Sequence, residues 1–185
     1  MSLNLYRIGT TLNHPYDGAI IKRNDKDINN FFYLDQGDEE KILKKGLTFV
    51  AQKGYTLKNI NNTDCMESSI ALLFSDRFVN TLGKKLGQDM QFLPCTLICE
   101  NQEFKWYAAR INRRLSIIDE EASIYEELTD GEKTIDLPRF RKDITTPFFI
   151  AKDTVWDTYY VVSELFKELC EKSNMLIEFD TPEIF

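Results

Sequence analysis

The sequence contains one histidine, His14, in the turn Asn13-His14-Pro15, and that scarcity removes several kinds of chemistry. A His-rich metal site is excluded. A serine or cysteine nucleophile would have one imidazole at most to activate it, and no serine or cysteine sits in a nucleophile-elbow pattern. His14 reads more simply as a turn residue than as a catalytic base. Glycine is equally thin where it would matter. Gly83-Lys84-Lys85 has a Gly-Lys pair but no upstream glycine at the spacing a phosphate loop needs, and it falls inside an expected helix. Nothing calls for a cofactor. No apolar run approaches the roughly 20 residues that cross a bilayer; residues 70–74 and 159–162 are far shorter. The start, Met1 to Arg7, lacks a basic region followed by an apolar one. The expectation is therefore a cytoplasmic chain with no membrane partner.

Cysteine is sparse too. Cys65, Cys95, Cys99 and Cys170 show no framework spacing. Cys95 and Cys99 fall in an extended stretch that sets them roughly 13 Å apart, too far for a disulfide or a shared metal. All four are expected as free thiols, buried as small hydrophobes.

The 185 residues, 43% hydrophobic, suffice for one domain that buries about 70% of its unfolded surface without staples. Residues 1–62 read as a strand-rich portion, with extended segments at 5–8, 19–22, 31–34, 47–51 and 55–60 and a polar loop over 59–64. Residues 63–185 read as an α+β portion forming one compact unit with the first. Ser75 looks like an N-cap with Asp76 in the first turn and Phe78, Val79, Leu82 and Leu86 at helical spacing. Ser163, Glu164, Leu165, Phe166, Leu169 and Cys170 repeat that grammar. Each unit has an apolar strand end, a serine, an acid, and a phenylalanine three residues after the serine. Two such strand–helix–strand modules are expected to pack on a common sheet. The fold class is α+β: a mainly antiparallel sheet with two or three serine-capped helices packed on it.

Charge is the most informative feature. Residues 115–132 carry Asp119, Glu120, Glu121, Glu126, Glu127, Asp130 and Glu132 and no lysine or arginine, and the whole chain has a formal net charge of −7. That one segment therefore holds the entire excess. Arg110, Arg113 and Arg114 precede it; Arg139, Arg141 and Lys142 follow. Either these flanks fold back and neutralise the block, or part of it stays open to a basic partner, whose encounter it would accelerate. Nucleic acid is disfavoured, since phosphate backbones reward basic surfaces. Paired carboxylates also serve hydrolases, but these crowd into one stretch, which a solvated helix face explains as well. Tyr125 lies inside the block. Tyr125 and Trp156 read either as core or as interface anchors.

The last two-fifths of the chain resembles the immunity-protein families of bacterial polymorphic toxin systems, in particular the related groups numbered eleven and forty-three. One likeness is the run from Leu115 to Ser123, an apolar strand followed by Asp119, acids and a serine. The other runs from Phe148-Phe149-Ile150 through Val161-Val162-Ser163-Glu164-Leu165-Phe166 to Asn174–Phe179, a strand leading to a serine-capped helix and a short final strand. The glycine expected near Ile177 is missing. The resemblance implies a protein without catalytic residues that binds a cognate toxin and occludes it. It also implies that Asp119, Ser123, Ser163 and Phe166 are caps and core. The expected toxin-binding residues are Asp119, Glu120, Glu121, Tyr125, Glu126, Glu127 and Asp130. The competing readings are a carboxylate-based hydrolase using Asp119, Glu121 or Glu127, and a structural subunit or homodimer.

Overall fold

A computed structural model describes residues 4–9, 18–129, 131 and 133–181; His14, Asp130 and Glu132 lie outside them. Two short strands, β1 (Leu5–Gly9) and β2 (Ala19–Ile21), lead into α1 (Lys26–Phe32). Residues 31–34, expected as a strand, instead close this helix. Asp25 caps it, accepting from the backbone N–H groups of Asp27 and Ile28, and Ile28, Phe31 and Phe32 share its buried face. A second helix, α2 (Glu39–Lys45), is capped by Asp38, and β3 (Leu47–Ala51) follows. Residues 55–60, also expected as extended, form the entry and most of α3 (Leu57–Asn61). Thr56 and Asn59 close a reciprocal capping box there. In both places the cap outweighed the strand-like look of a short apolar run.

Next come β4 (Cys65–Glu67), β5 (Leu72–Ser75), α4 (Asp76–Leu86), β6 (Met90–Cys99) and β7 (Gln102–Ile111). The β6–β7 hairpin turns at Glu100 and Asn101, both at positive φ, as the right-handed strand twist favours. These strands form a six-stranded sheet in the order β2-β3-β6-β7-β5-β4. It curls until its edges meet. Ala19 bridges Ser68, the Ser69 N–H donates to the Ala19 carbonyl at 3.0 Å, and the Ile21 N–H donates to Ser69 Oγ at 3.3 Å. Gly18 permits this seam, because a Cβ there would lie 2.1 Å from the Glu67 carbonyl oxygen. Inside the curl, Phe49, Leu73, Leu93, Leu97, Trp106 and Ala108 pack with Phe31, Ile42 and Ile60 from the three helices.

The remaining elements are β8 (Arg114–Leu115), β9 (Ile124–Glu127), β10 (Lys133–Leu137), β11 (Ile150–Asp153), β12 (Tyr160–Ser163), α5 (Glu164–Lys172) and β13 (Glu178–Asp180). A five-stranded sheet runs β13-β1-β12-β11-β8. Its strands alternate between two cores, as the pleat demands. Ile8, Ile150 and Val162 join Phe78, Leu82, Leu86, Phe166 and Cys170 beneath α4 and α5. Ala151 and Val161 face the other way, toward Ile117, Ile118, Ile135 and Phe148. The acidic segment therefore lies on the outer face of this sheet, held by its own apolar side chains. The architecture is α+β, and the pairings between its strands are antiparallel except β3 with β6 and β8 with β11, besides the parallel bridge of Ala19 with Ser68.

The two strand–helix–strand units differ from expectation in one respect. They do not share a sheet: β5 and β6 belong to the six-stranded sheet, β12 and β13 to the five-stranded one. They do share a topology, since each crossover leaves one antiparallel strand between its ends, β7 in the first unit and β1 in the second. The phenylalanines three residues after each serine, Phe78 and Phe166, meet with ring centroids 6.2 Å apart. The caps differ. Ser75 Oγ accepts from the Phe78 N–H at 3.1 Å and donates to Asp64. Ser163 occupies the N-cap position of α5 but makes no side-chain cap bond, and its hydroxyl donates to the Phe148 carbonyl.

Candidate functional site

The acidic block is a turn and a hairpin, and the helix face considered for it does not form. Its anchor is a residue the sequence reading passed over. Asp153 is 2% exposed, and its carboxylate accepts from four backbone N–H groups: Ile117 and Ile118 through Oδ2, Val155 and Trp156 through Oδ1, at 2.8–3.0 Å. One side chain thus fixes the entry to the acidic segment and the β11–β12 turn together. Asp119 then builds its own turn. Its N–H donates to the Arg139 carbonyl, its carboxylate accepts from the Ala122 N–H at 3.1 Å, and its carbonyl accepts from the Ser123 N–H. Ser123 Oγ accepts from the Arg139 N–H at 2.9 Å. Asp119 and Ser123 thus hold the turn through their hydrogen bonds.

Strands β9 and β10 pair with Tyr125 opposite Ile135, Glu126 opposite Thr134 and Glu127 opposite Lys133. Period-two alternation turns Tyr125 and Ile135 inward. The Tyr125 ring packs on Trp156 with centroids 5.9 Å apart. Burial raises the Tyr125 phenol pKa, and the charges of Glu120, Asp119 and Asp153 push it the same way. Glu120, Glu121, Glu126 and Glu127 are exposed and Asp119 is half-buried; Asp130 lies outside the described residues.

Three of the flanking cations, Arg110, Arg114 and Arg141, pair with acids outside the segment. Arg110 and Arg114 reach Asp35 at 3.7 and 2.8 Å, and Arg114 also meets Asp157 at 2.5 Å. Arg141 forms a two-point pair with Asp143 at 2.7 and 2.9 Å. Among the described residues, no ion pair joins Asp119, Glu120, Glu121, Glu126 or Glu127 to a lysine or arginine. Arg141 does feel Asp119 weakly, as one contributor to its raised pKa behind the adjacent Asp143.

The expected site residues fall into two groups. Asp119, Glu120 and Glu121 line a broad open depression of about 1380 Å³, facing Arg139, Arg141 and Lys142 across it. Tyr125, Glu126 and Glu127 sit apart from it on the hairpin. The depression carries both signs of charge, and its acids come from a single turn and Asp143. Of the residues in the hydrolase reading, Asp119 and Glu121 line it and Glu127 does not.

Two further features went unforeseen. Asp35, at φ +54°, receives Lys152 at 2.6 Å as well as the two arginines, and Lys152 is 3% exposed. Burial lowers the Lys152 pKa against the pull of Asp35. A lysine inside the apolar run 148–162 was the available signal. The four cysteines are free and buried, as expected; burial pushes the Cys95 and Cys170 thiols up to about 12. Among the described residues no group of three or more His, Cys, Asp or Glu is placed to hold a metal ion, and no helix is long and apolar enough to cross a membrane. In comparisons with protein-family models and with curated proteins, nothing matches the chain.

Proposed function

We propose that the chain is an immunity protein that binds a cognate bacterial toxin and neutralises it by covering its working surface. One observation carries this reading. Five described carboxylates of the acidic segment form no ion pair with a described lysine or arginine, while Arg110, Arg114 and Arg141 are committed to Asp35, Asp157 and Asp143. Charge of one sign, displayed on a segment fixed by Asp153, speeds encounter with a basic protein and rejects acidic ones. The likeness of residues 115–123 and 148–179 to immunity proteins supplies the class of partner. The test is co-expression with the product of a toxin gene beside its own. Growth protection and co-purification are the expected outcomes. A toxin that kills as efficiently with the chain present refutes the reading.

A further inference from the structure

Val155 and Ile124 are the most exposed large hydrophobic residues of the described chain, at 64% and 52%. They come from different elements, the β11–β12 turn and β9, yet each is the chain neighbour of one member of the Tyr125–Trp156 ring pair. Leu128, 43% exposed, follows at the end of β9. Glu126 stands two residues from Ile124 on the same side of the strand, and its cross-strand partner Thr134 carries no charge to offset it. Glu127 is opposite Lys133 in register, but no ion pair joins them. Two exposed apolar side chains, each next in the chain to a member of the ring pair, with Glu126, unpaired among the described residues, beside Ile124, have the composition of an interface hot spot with its rim.

From this arrangement we infer that the outer face of the β9–β10 hairpin, with the β11–β12 turn, is the surface that docks the partner, and that the depression lined by Asp119–Glu121 is not. The occupant is a protein surface that sets an apolar side chain within a ring of lysines and arginines. A second copy of this chain fits poorly, since a two-fold contact would set Glu126 and Glu127 against their own copies. A nucleic acid or an anionic lipid surface meets the same repulsion. The inference rests on the immunity reading and gives it a location.

The test is calorimetric titration of the purified chain with the purified product of the adjacent toxin gene, at low and physiological salt. Val155, Ile124, Glu126 and Glu127 belong to no core, so their variants keep the fold, which thermal unfolding verifies. The double variant Ile124→Ser/Val155→Ser is expected to weaken binding about tenfold or more. Glu126→Lys/Glu127→Lys is expected to slow association and flatten its salt dependence. Ile20→Ser/Val50→Ser, which removes an exposed apolar pair on the β2–β3 edge, leaves affinity unchanged. Hairpin variants that bind as tightly as the wild type overturn the inference while the immunity reading stands, and loss on Arg139→Glu instead would move the contact to the depression. A wild-type chain that dimerises through this face, shown by light scattering and abolished in Ile124→Ser/Val155→Ser, overturns it as well. No binding by the wild type refutes the immunity reading itself, and the inference with it.

Discussion

Two buried carboxylates, Asp64 and Asp153, each tie together segments far apart in the sequence. Asp64 is 2% exposed; it accepts from the Ser75 hydroxyl, the Leu176 N–H and two nitrogens of Arg77. Burial works to raise its pKa, but Arg77, Ser75 and the Leu176 N–H outweigh it and hold the group below its ordinary 3.8. A depressed folded-state pKa contributes stability that is complete above the unfolded value and is lost as pH falls through the folded one. Acid unfolding should therefore steepen below about pH 3.8 in the wild type and less so in Asp64→Asn. At neutral pH that variant should cost about 2 kcal/mol in urea unfolding, at the low end for a broken buried pair because Arg77 is half exposed. None of this was legible in the sequence. Asp64 sat in what reads as a polar loop, and its partners lie up to 112 residues away.

At the scale of elements, legibility followed the length of the periodic signal. The helix after Ser75 shows four apolar positions at helical spacing, and α4 forms there. The helices α1 and α3 are seven and five residues long, too short for a period to declare itself, so their caps were the only cue. The acidic segment misled for a related reason: dense carboxylates suggest a solvated helix, but Asp119 and Ser123 spend their side chains on turn hydrogen bonds, and Tyr125 with Ile135 sets the period of two. Strand placement also depended on backbone clearance. Gly18 lets β2 lie against the end of β4, so Gly18→Ala should spring that seam at a cost of about 2–3 kcal/mol. Amide exchange reads the result directly. The Ser69 and Ile21 N–H groups should lose protection while those of the β6–β7 hairpin keep theirs.

Across the whole molecule, Asp35 is the electrostatic joint. It follows α1, which packs inside the curled sheet, and it reaches Arg110 on β7, Arg114 on β8 and Lys152 on β11. Lys152 Nζ also donates to the Tyr33 carbonyl at 3.2 Å. Removing Asp35 strands a buried ammonium, so Asp35→Ala should lose about 3 kcal/mol of stability. Adding Lys152→Met should restore much of that loss, because a buried charge without its partner costs more than an apolar replacement for both. Denaturant unfolding of the four chains in this cycle gives the coupling. The joint was invisible beforehand, since Asp35 is a lone acid in a turn and its cations are spread over the sequence.

The place of β1 has a consequence for how the chain comes off the ribosome. The curled sheet draws only on residues 19–111, so it can close while the rest is still being made. Strand β1 is synthesised before all of it, yet its neighbours β12 and β13 are made after the whole of the curled sheet. It therefore waits as an unmated edge while the curled sheet is made. The second sheet, and with it the perch on which the acidic hairpin rests, can assemble only once β12 and β13 have emerged.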